Sequence, residues 1–285
     1  MSNFEDRYWS SQDGLKLHYR DYAGSAAKPP VICLHGLTRN ARDFSGLADH
    51  LAGQWRVIVP EMRGRGDSAY AKDPATYNPV QYVRDLTLLL DELEIQRFVS
   101  IGTSMGGLMN LLMGMMMPDR IVAVVMNDIG PELEREGLDS ILDYVGQGRN
   151  FPTWMHAARA LEETHGPAFP DWTLDDWLSS ARRVMTLSSK GRIVFDYDMK
   201  IAEPFSEIDW DNQPDMWPAF DVLAKKPMTV VRAEISNLFS AATYEKMLAR
   251  SPQAEGVIIP RVGHAPMLDE PEAVAAIDRL LAKVT

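Results

Sequence analysis

Hydrophobic and polar positions follow two different patterns along the chain, and both predict β-strands. Residues 15–22 alternate apolar and polar side chains, as expected for a strand with one buried and one exposed face. Short, continuous apolar runs are instead typical of strands that both faces of a parallel sheet bury. Runs of this second kind predict strands at residues 31–34, 55–59, 98–101, 121–126, 228–231 and 256–259.

Helical patterns appear between these apolar runs. They predict helices over residues 44–51, 80–93, 106–117, 241–250 and 271–283. Strands and helices that alternate in this way form a parallel sheet covered by helices on both faces. The sequence therefore predicts an α/β fold.

One long segment interrupts this alternation. Residues 131–218 contain no strong buried-strand pattern, and their pattern is helical and rich in aromatic residues. We interpret this segment as a helical cap inserted into a core formed by residues 1–130 and 219–285. Insertions at the carboxyl edge of such a sheet usually cover the crevice where ligands bind.

Composition narrows the classes of function. Hydrophobic residues make up 46% and charged residues 24% of the chain, which predicts a folded globular protein rather than a disordered one. With 40 acidic and 29 basic residues, the net charge is −11, which disfavours binding to nucleic acid or to anionic membranes. The single cysteine, and the lack of a segment resembling a signal peptide or a membrane span, predict a cytoplasmic protein.

The strongest chemical motif lies between a predicted buried strand and a predicted helix. Residues 102–106 read Gly-Thr-Ser-Met-Gly, which has the form G-x-S-x-G. In this context the motif predicts a sharp strand-to-helix turn that exposes its serine at the edge of the sheet. Ser104 is therefore the predicted nucleophile.

A serine nucleophile needs a general base and hydrogen-bond donors for the developing oxyanion. His264 follows the last predicted strand, so we expect it to reach Ser104 across the edge of the sheet. The predicted oxyanion donors are two backbone amides. One belongs to Leu37, in the loop after a buried strand, and the other to Met105, at a helix N-terminus.

The order of these motifs resembles that of the α/β-hydrolase superfamily. The resemblance is carried by His35-Gly36 after a buried strand, by residues 102–107 (GTSMGG) and by residues 263–266 (GHAP). The inserted segment looks like the cap domain of that superfamily, and residues 35–44 (HGLTRNARDF), 61–68 (EMRGRGDS) and 126–133 (MNDIGPEL) are similar to a branch of small, esterase-like bacterial hydrolases. This resemblance implies a mostly parallel eight-stranded sheet with helices on both faces. It also implies a Ser–acid–His triad, no cofactor, and hydrolysis of a small-molecule ester.

One position departs from the family pattern. The family places its acid after the strand at 228–231, in a segment resembling G-E-x-S-D, but residues 233–237 read Ala-Glu-Ile-Ser-Asn. An asparagine lacks the negative charge that stabilises the imidazolium in the transition state. Three explanations stay open: the acid has moved to Asp128, Asn237 replaces it and lowers turnover, or Glu234 reaches the histidine.

Residues near the oxyanion loop and in the cap are candidates for substrate contacts. Arg39 and Asn40 follow that loop and are expected near a polar substrate group, and Trp154 is a candidate for lining the acyl pocket. The arginines of the turn at 63–67 are interpreted as solvated or salt-bridged. The sequence contains no metal-ligand spacing and no phosphate-binding loop, so we expect neither a metal nor a cofactor.

These observations predict a serine hydrolase that cleaves a small or medium carboxylic ester, with Ser104 as nucleophile and His264 as base. One alternative is a carbon–carbon bond hydrolase of ring-cleavage diketones that uses the same site. A second alternative is a catalytically weakened or binding protein on a hydrolase scaffold, because Asn237 occupies the usual acid position. The sequence leaves open whether the chain forms a homodimer.

Overall fold

An eight-stranded sheet forms the centre of the computed structural model, which describes residues 3–209 and 212–284. Numbered in chain order, its strands run from edge to edge as β1 (Phe4–Ser10), β2 (Lys16–Tyr22), β4 (Val57–Pro60), β3 (Val31–Leu34), β5 (Phe98–Thr103), β6 (Ile121–Asn127), β10 (Met228–Ala233) and β11 (Glu255–Ile259). Neighbouring strands among β4, β3, β5, β6, β10 and β11 pair in parallel, and β2 pairs antiparallel with both β1 and β4. The predicted mostly parallel sheet is confirmed.

The edge strand β1 escapes the pattern analysis. Of its seven residues only Trp9 is buried, and the segment therefore shows no regular alternation of apolar and polar positions. It is ordered by backbone pairing with β2, in which Trp9 lies opposite Leu17. Strands at the edge of a sheet need little hydrophobic signal, because neighbouring backbone groups supply the pairing.

Helices cover both faces of the sheet and bury two separate apolar clusters. Four helices pack on one face: α2 (Pro79–Glu92), α3 (Met105–Met116), α8 (Trp217–Leu223) and α9 (Ala241–Arg250). The other face is covered by α1 (Ser45–Leu51) and α10 (Pro271–Leu281), which contribute the buried Leu47 and Ile277. Burial on both faces explains why the central strands read as continuous apolar runs.

The insertion is mainly helical, but it also contains a small antiparallel sheet that the sequence pattern does not predict. Its helices are α4 (Arg135–Tyr144), α5 (Trp154–His165), α6 (Leu174–Val184) and α7 (Ala202–Ser206). Its strands, in the order β7-β9-β8, are Asn150–Phe151, Ile193–Phe195 and Met185–Leu187. Strands of two or three residues are too short to show a period of two.

The cap has its own apolar cluster, yet both of its ends join the main core. Ala157, Trp177 and Ile193 belong to the cap cluster. Leu138 and Tyr197 instead pack in the larger cluster of the core. The segments that precede and follow the cap cluster along the chain therefore anchor the cap on the core.

Helices long and apolar enough to cross a membrane are absent from the described part of the chain.

Candidate active site

A sharp turn between β5 and α3 carries Ser104. Its backbone lies at φ 53° and ψ −116°, which L-residues rarely adopt. Two glycines make the turn sterically feasible. A Cβ atom on Gly102 would lie 2.4 Å from the carbonyl oxygen of Gly106, and one on Gly106 would lie 2.1 Å from that of Leu34. The turn holds the serine at the carboxyl edge of the sheet, at the N-terminus of a helix.

His264 lies in the loop after β11 and faces Ser104. Its Nε2 atom is 2.8 Å from Ser104 Oγ, and its Nδ1 atom is 2.8 Å from Asp128 Oδ2. An ionised carboxylate only accepts hydrogen bonds, so the ring proton belongs on Nδ1. That tautomer leaves Nε2 free to accept the proton of the serine hydroxyl. The three side chains thus form one continuous hydrogen-bonded chain.

Asp128 directly follows β6 and is fully buried, with a backbone φ of 53°. Its backbone N–H donates to the carbonyl oxygen of Val231 at 2.8 Å. Its Oδ1 accepts from the backbone N–H of Ala233 at 2.8 Å, and its Oδ2 accepts from the hydroxyl of Ser236 at 2.7 Å. The carboxylate is therefore held by hydrogen bonds at both oxygens before it meets the histidine.

The other two candidates for the acid are engaged elsewhere, and within the described residues neither hydrogen-bonds to His264. The Asn237 amide donates to Ser140 Oγ, on a cap helix, at 3.1 Å. The Glu234 carboxylate accepts the backbone N–H of Arg261 at 2.6 Å. The interpretation that Asn237 partners the histidine is therefore wrong, because the carboxylate comes from the end of the neighbouring strand. The binding-protein alternative loses the argument on which it rested.

The loop after β3 brings Leu37 beside the nucleophile. Leu37 and Ser104 line the same pocket, and a Cβ atom on Gly36 would lie 3.8 Å from that of Ser104. Within the described chain, the backbone N–H groups of Leu37 and Met105 donate no hydrogen bond to the protein. Both amides are therefore free to donate to a substrate oxygen.

His35 fixes the start of this loop through two hydrogen bonds of its ring. Its Nε2 accepts the backbone N–H of Met62 at 3.0 Å, so its Nδ1 carries the proton and donates to the carbonyl oxygen of Gly36 at 2.8 Å. Burial, followed by the charge of Arg65, lowers the pKa of His35 to about 4. The ring is therefore neutral at pH 7, and its two hydrogen bonds support the loop.

Arg65 is fully buried and contacts both residues that carry the candidate oxyanion donors. Its Nε donates to the Leu37 carbonyl oxygen at 2.9 Å, and its Nη2 lies 3.8 Å from Met105 Sδ. The sequence interpretation of a solvated or salt-bridged arginine is wrong here, since no carboxylate of the described chain pairs with Arg65. Arg63, also fully buried, does pair, with Asp85 at 2.7 Å. The motif gave no signal of this burial.

Aromatic side chains of the cap close the pocket over Ser104. Phe169 and Trp172 stack with ring centroids 4.1 Å apart, and Trp172 and Trp177 meet edge to face at 4.7 Å. Leu161 and Val184 also line this apolar wall. An apolar wall facing a nucleophile suits the hydrocarbon part of a substrate.

Polar side chains also line the pocket. Arg39 lines the pocket and forms a bidentate pair with Asp43 at 2.6 and 2.9 Å, and its contact with a polar substrate group stays a prediction. The rings of Tyr144 and His165 lie edge to face, 5.2 Å apart, and neither side chain has a hydrogen-bond partner in the described part of the chain. Burial raises the pKa of Tyr144 to about 12, and burial and then Arg39 lower the pKa of His165 to about 4. Sequence reasoning missed both, because no motif links cap helices to the core loop.

Two predicted substrate contacts do not line the pocket. Asn40 is fully buried, caps the short helix at 41–44, and donates to the carbonyl oxygen of Arg183 at 3.0 Å. Trp154 packs against the apolar cluster of the cap, with the Arg182 guanidinium 5.8 Å from its ring. Both predictions are wrong, since Asn40 joins core to cap and Trp154 stabilises the cap itself.

One group in the described chain has the geometry to hold a metal ion, and it lies outside the pocket. It comprises His18, Glu61 and Asp67. His18 already hydrogen-bonds to Glu61 and to Asp6, each at 2.9 Å, and Glu61 also accepts the backbone N–H of Asp67. These hydrogen bonds account for the arrangement without an ion.

Comparison with known proteins adds independent findings. Residues 31–277 match a family model described as "Alpha/beta hydrolase family". A 3-hydroxybutyrate-oligomer hydrolase of Cupriavidus necator is 30% identical over 267 residues, covering 91% of this chain and 90% of that protein. An esterase of Mycobacterium tuberculosis is 27% identical over 267 residues, covering 90% and 83%. The crystal structure of an alpha/beta hydrolase from Novosphingobium aromaticivorans has a TM-score of 0.96 and 60% identity, covering 100% of both chains.

Proposed function

The chain belongs to the alpha/beta hydrolase family, and from that premise we propose that it is a serine hydrolase cleaving small or medium carboxylic esters. The resemblance inferred from the sequence is thereby confirmed at the level of the family, and with it the expectation of an enzyme. The observation that carries the finer proposal is the hydrogen-bonded chain from Ser104 through His264 to Asp128.

In the proposed first half-reaction, Ser104 Oγ attacks the ester carbonyl while His264 Nε2 takes its proton. The amides of Leu37 and Met105 hold the negative oxygen of the tetrahedral intermediate. His264 then gives the proton to the leaving alcohol, and the acyl group remains on the serine. Throughout, Asp128 keeps the ring in the correct tautomer and stabilises the imidazolium.

In the second half-reaction, water replaces the alcohol. His264 removes a proton from the water, which attacks the acyl-enzyme carbonyl, and the same two amides stabilise the second oxyanion. Collapse of this intermediate breaks the bond to Ser104 Oγ, which takes the proton back from the imidazolium. The products are a carboxylic acid and an alcohol.

The choice of an ester rests on the named relatives and on the composition of the pocket. The relatives include proteins named as an esterase and as a 3-hydroxybutyrate-oligomer hydrolase. A pocket lined by apolar cap side chains and also by the polar Arg39, Tyr144 and His165 suits an acyl chain that also carries an oxygen function. We would therefore assay dimers of 3-hydroxybutyrate first, beside the chromogenic ester p-nitrophenyl butyrate.

The test compares the wild type with Ser104→Ala and, as a matched control, with Ser10→Ala on the exposed edge strand. We expect a fluorophosphonate probe to label the wild type and Ser10→Ala but not Ser104→Ala. We also expect Ser104→Ala to lose about 10⁴-fold or more in kcat for p-nitrophenyl butyrate. Equal labelling or equal turnover in Ser104→Ala would show that another group carries the reaction.

A further inference from the structure

We propose that Ser236 is a positioning residue, which holds the Asp128 carboxylate against His264. This inference rests on the proposed function, since it assigns a role relative to the triad. It concerns a residue of the turn after β10, which the mechanism above does not use.

Ser236 hydrogen-bonds to the same carboxylate oxygen of Asp128 as His264 does. Its hydroxyl donates to Asp128 Oδ2 at 2.7 Å, and that same oxygen accepts the Nδ1–H of His264 at 2.8 Å. The other oxygen, Oδ1, is held by the backbone N–H of Ala233 at 2.8 Å. Without Ser236, a single hydrogen bond besides that of the histidine would fix the carboxylate.

Neighbouring backbone groups determine the direction of the Ser236 hydroxyl. Its oxygen accepts the N–H of Phe239 at 3.1 Å and that of Leu238 at 3.3 Å. With its lone pairs occupied in this way, the hydroxyl donates its proton toward Asp128. Because Asp128 is fully buried, no bulk water competes for this interaction.

The position of Ser236 in the sequence relates this contact to the family pattern. Residues 233–237 resemble the segment in which the family carries its acid, and Ser236 directly precedes the expected acid position. That position holds Asn237, whose amide contacts Ser140 instead. In this chain the turn after β10 therefore supplies a hydrogen-bond donor to an acid located on the turn after β6.

The first test is the pH dependence of kcat/KM for p-nitrophenyl butyrate in Ser236→Ala. A hydrogen bond to a carboxylate favours its charged form, so its loss makes the Asp128–His264 pair bind a proton more readily. We expect the acidic limb of the profile to move upward by about one pH unit, consistent with the loss of a charge-assisted hydrogen bond. We also expect kcat to fall about tenfold, as for loss of other groups that orient a catalytic residue, with little change in KM.

Two companion variants separate this role from a general effect on folding. Ser236→Thr keeps the hydroxyl and should retain both the acidic limb and most of kcat. Asn237→Ala changes the adjacent residue, whose amide donates to Ser140, and should leave the profile unchanged. An unmoved acidic limb in Ser236→Ala, or an equal shift in Asn237→Ala, would overturn the proposal.

A double-mutant comparison distinguishes failure of this inference from failure of the proposed function. If Ser236 acts through Asp128, Ser236→Ala should cost little further kcat in an Asp128→Asn background. An equal cost in both backgrounds would mean a purely structural role and would overturn the inference alone. Full activity of Asp128→Asn by itself would instead overturn the proposed triad.

Discussion

The core wall of the pocket, formed by Leu37, Ser104 and His264, differs from the cap wall, formed by Phe169, Trp172 and Trp177, in how each side chain is held. Ser104 sits at a strained backbone position at a strand end, and His264 is hydrogen-bonded at both ring nitrogens. The cap aromatics are held by contacts with one another. The core wall therefore depends on the position of individual atoms, whereas the cap wall depends on the combined shape of its packed aromatic rings. Substitutions behind the core wall should lower kcat, and those in the cap wall should change substrate preference.

The largest expected effect is that of Asp128→Asn, behind the core wall. The amide keeps the size of the side chain but removes the charge and permits the wrong histidine tautomer. We expect kcat for p-nitrophenyl butyrate to fall by about 10⁴-fold with KM nearly unchanged. Thermal unfolding measured in parallel reports whether the variant is folded. A folded variant with less than a tenfold loss would mean that Asp128 is not the triad acid.

Arg65→Met tests the support beneath the oxyanion loop. Loss of the guanidinium removes the donor to the Leu37 carbonyl and the buried positive charge. A direct oxyanion donor is worth about 10²–10³ in kcat, so this indirect support should cost roughly tenfold. Arg65→Lys, which keeps the charge, serves as the comparison. A lowered unfolding temperature with unchanged kcat in Arg65→Met would reduce Arg65 to a structural residue.

Trp172→Ala probes the cap wall. Removing this ring should weaken binding of a longer acyl chain more than that of acetate. We expect the ratio of kcat/KM for p-nitrophenyl butyrate to that for p-nitrophenyl acetate to fall by about tenfold. Trp154→Ala, a tryptophan of the cap cluster that does not line the pocket, is the matched control. The same change of ratio in both variants would assign the effect to cap stability rather than to pocket shape.

Asn237→Asp should have the smallest effect, although the sequence pattern makes it the obvious repair. The side chain at this position reaches Ser140 rather than His264. We therefore expect kcat/KM for p-nitrophenyl butyrate to stay within about twofold of the wild type, since surface changes away from the site are usually small. A rise of about 10³-fold would show that position 237 is a vacant acid site after all.

Much of the site could be predicted because its signals are local. Ser104 follows from a five-residue motif between a strand and a helix, and His264 follows from its place after the last strand. The identity of the acid could not be predicted in this way. Asp128, Glu234 and Asn237 all lie after neighbouring strands, and the choice depends on side-chain direction rather than on order along the chain.

The burial of charged and polar groups also could not be predicted from the sequence. A turn that contains Arg63 and Arg65 looks exposed in sequence, yet both side chains are fully buried. Tyr144 and His165 come together in the pocket although no sequence motif connects them. Such groupings arise when segments far apart in sequence fold onto one edge of the sheet.

By itself, the sequence determined the alternation of strands and helices, the interrupting cap, the nucleophile turn and the position of the histidine. Periodicity and steric demands act over a few residues, so they are written locally in the chain. The tertiary structure alone decided which carboxylate meets the histidine and which residues line the pocket. Hydrogen bonds between strand ends, such as that from Ser236 to Asp128, exist only once distant segments are packed together.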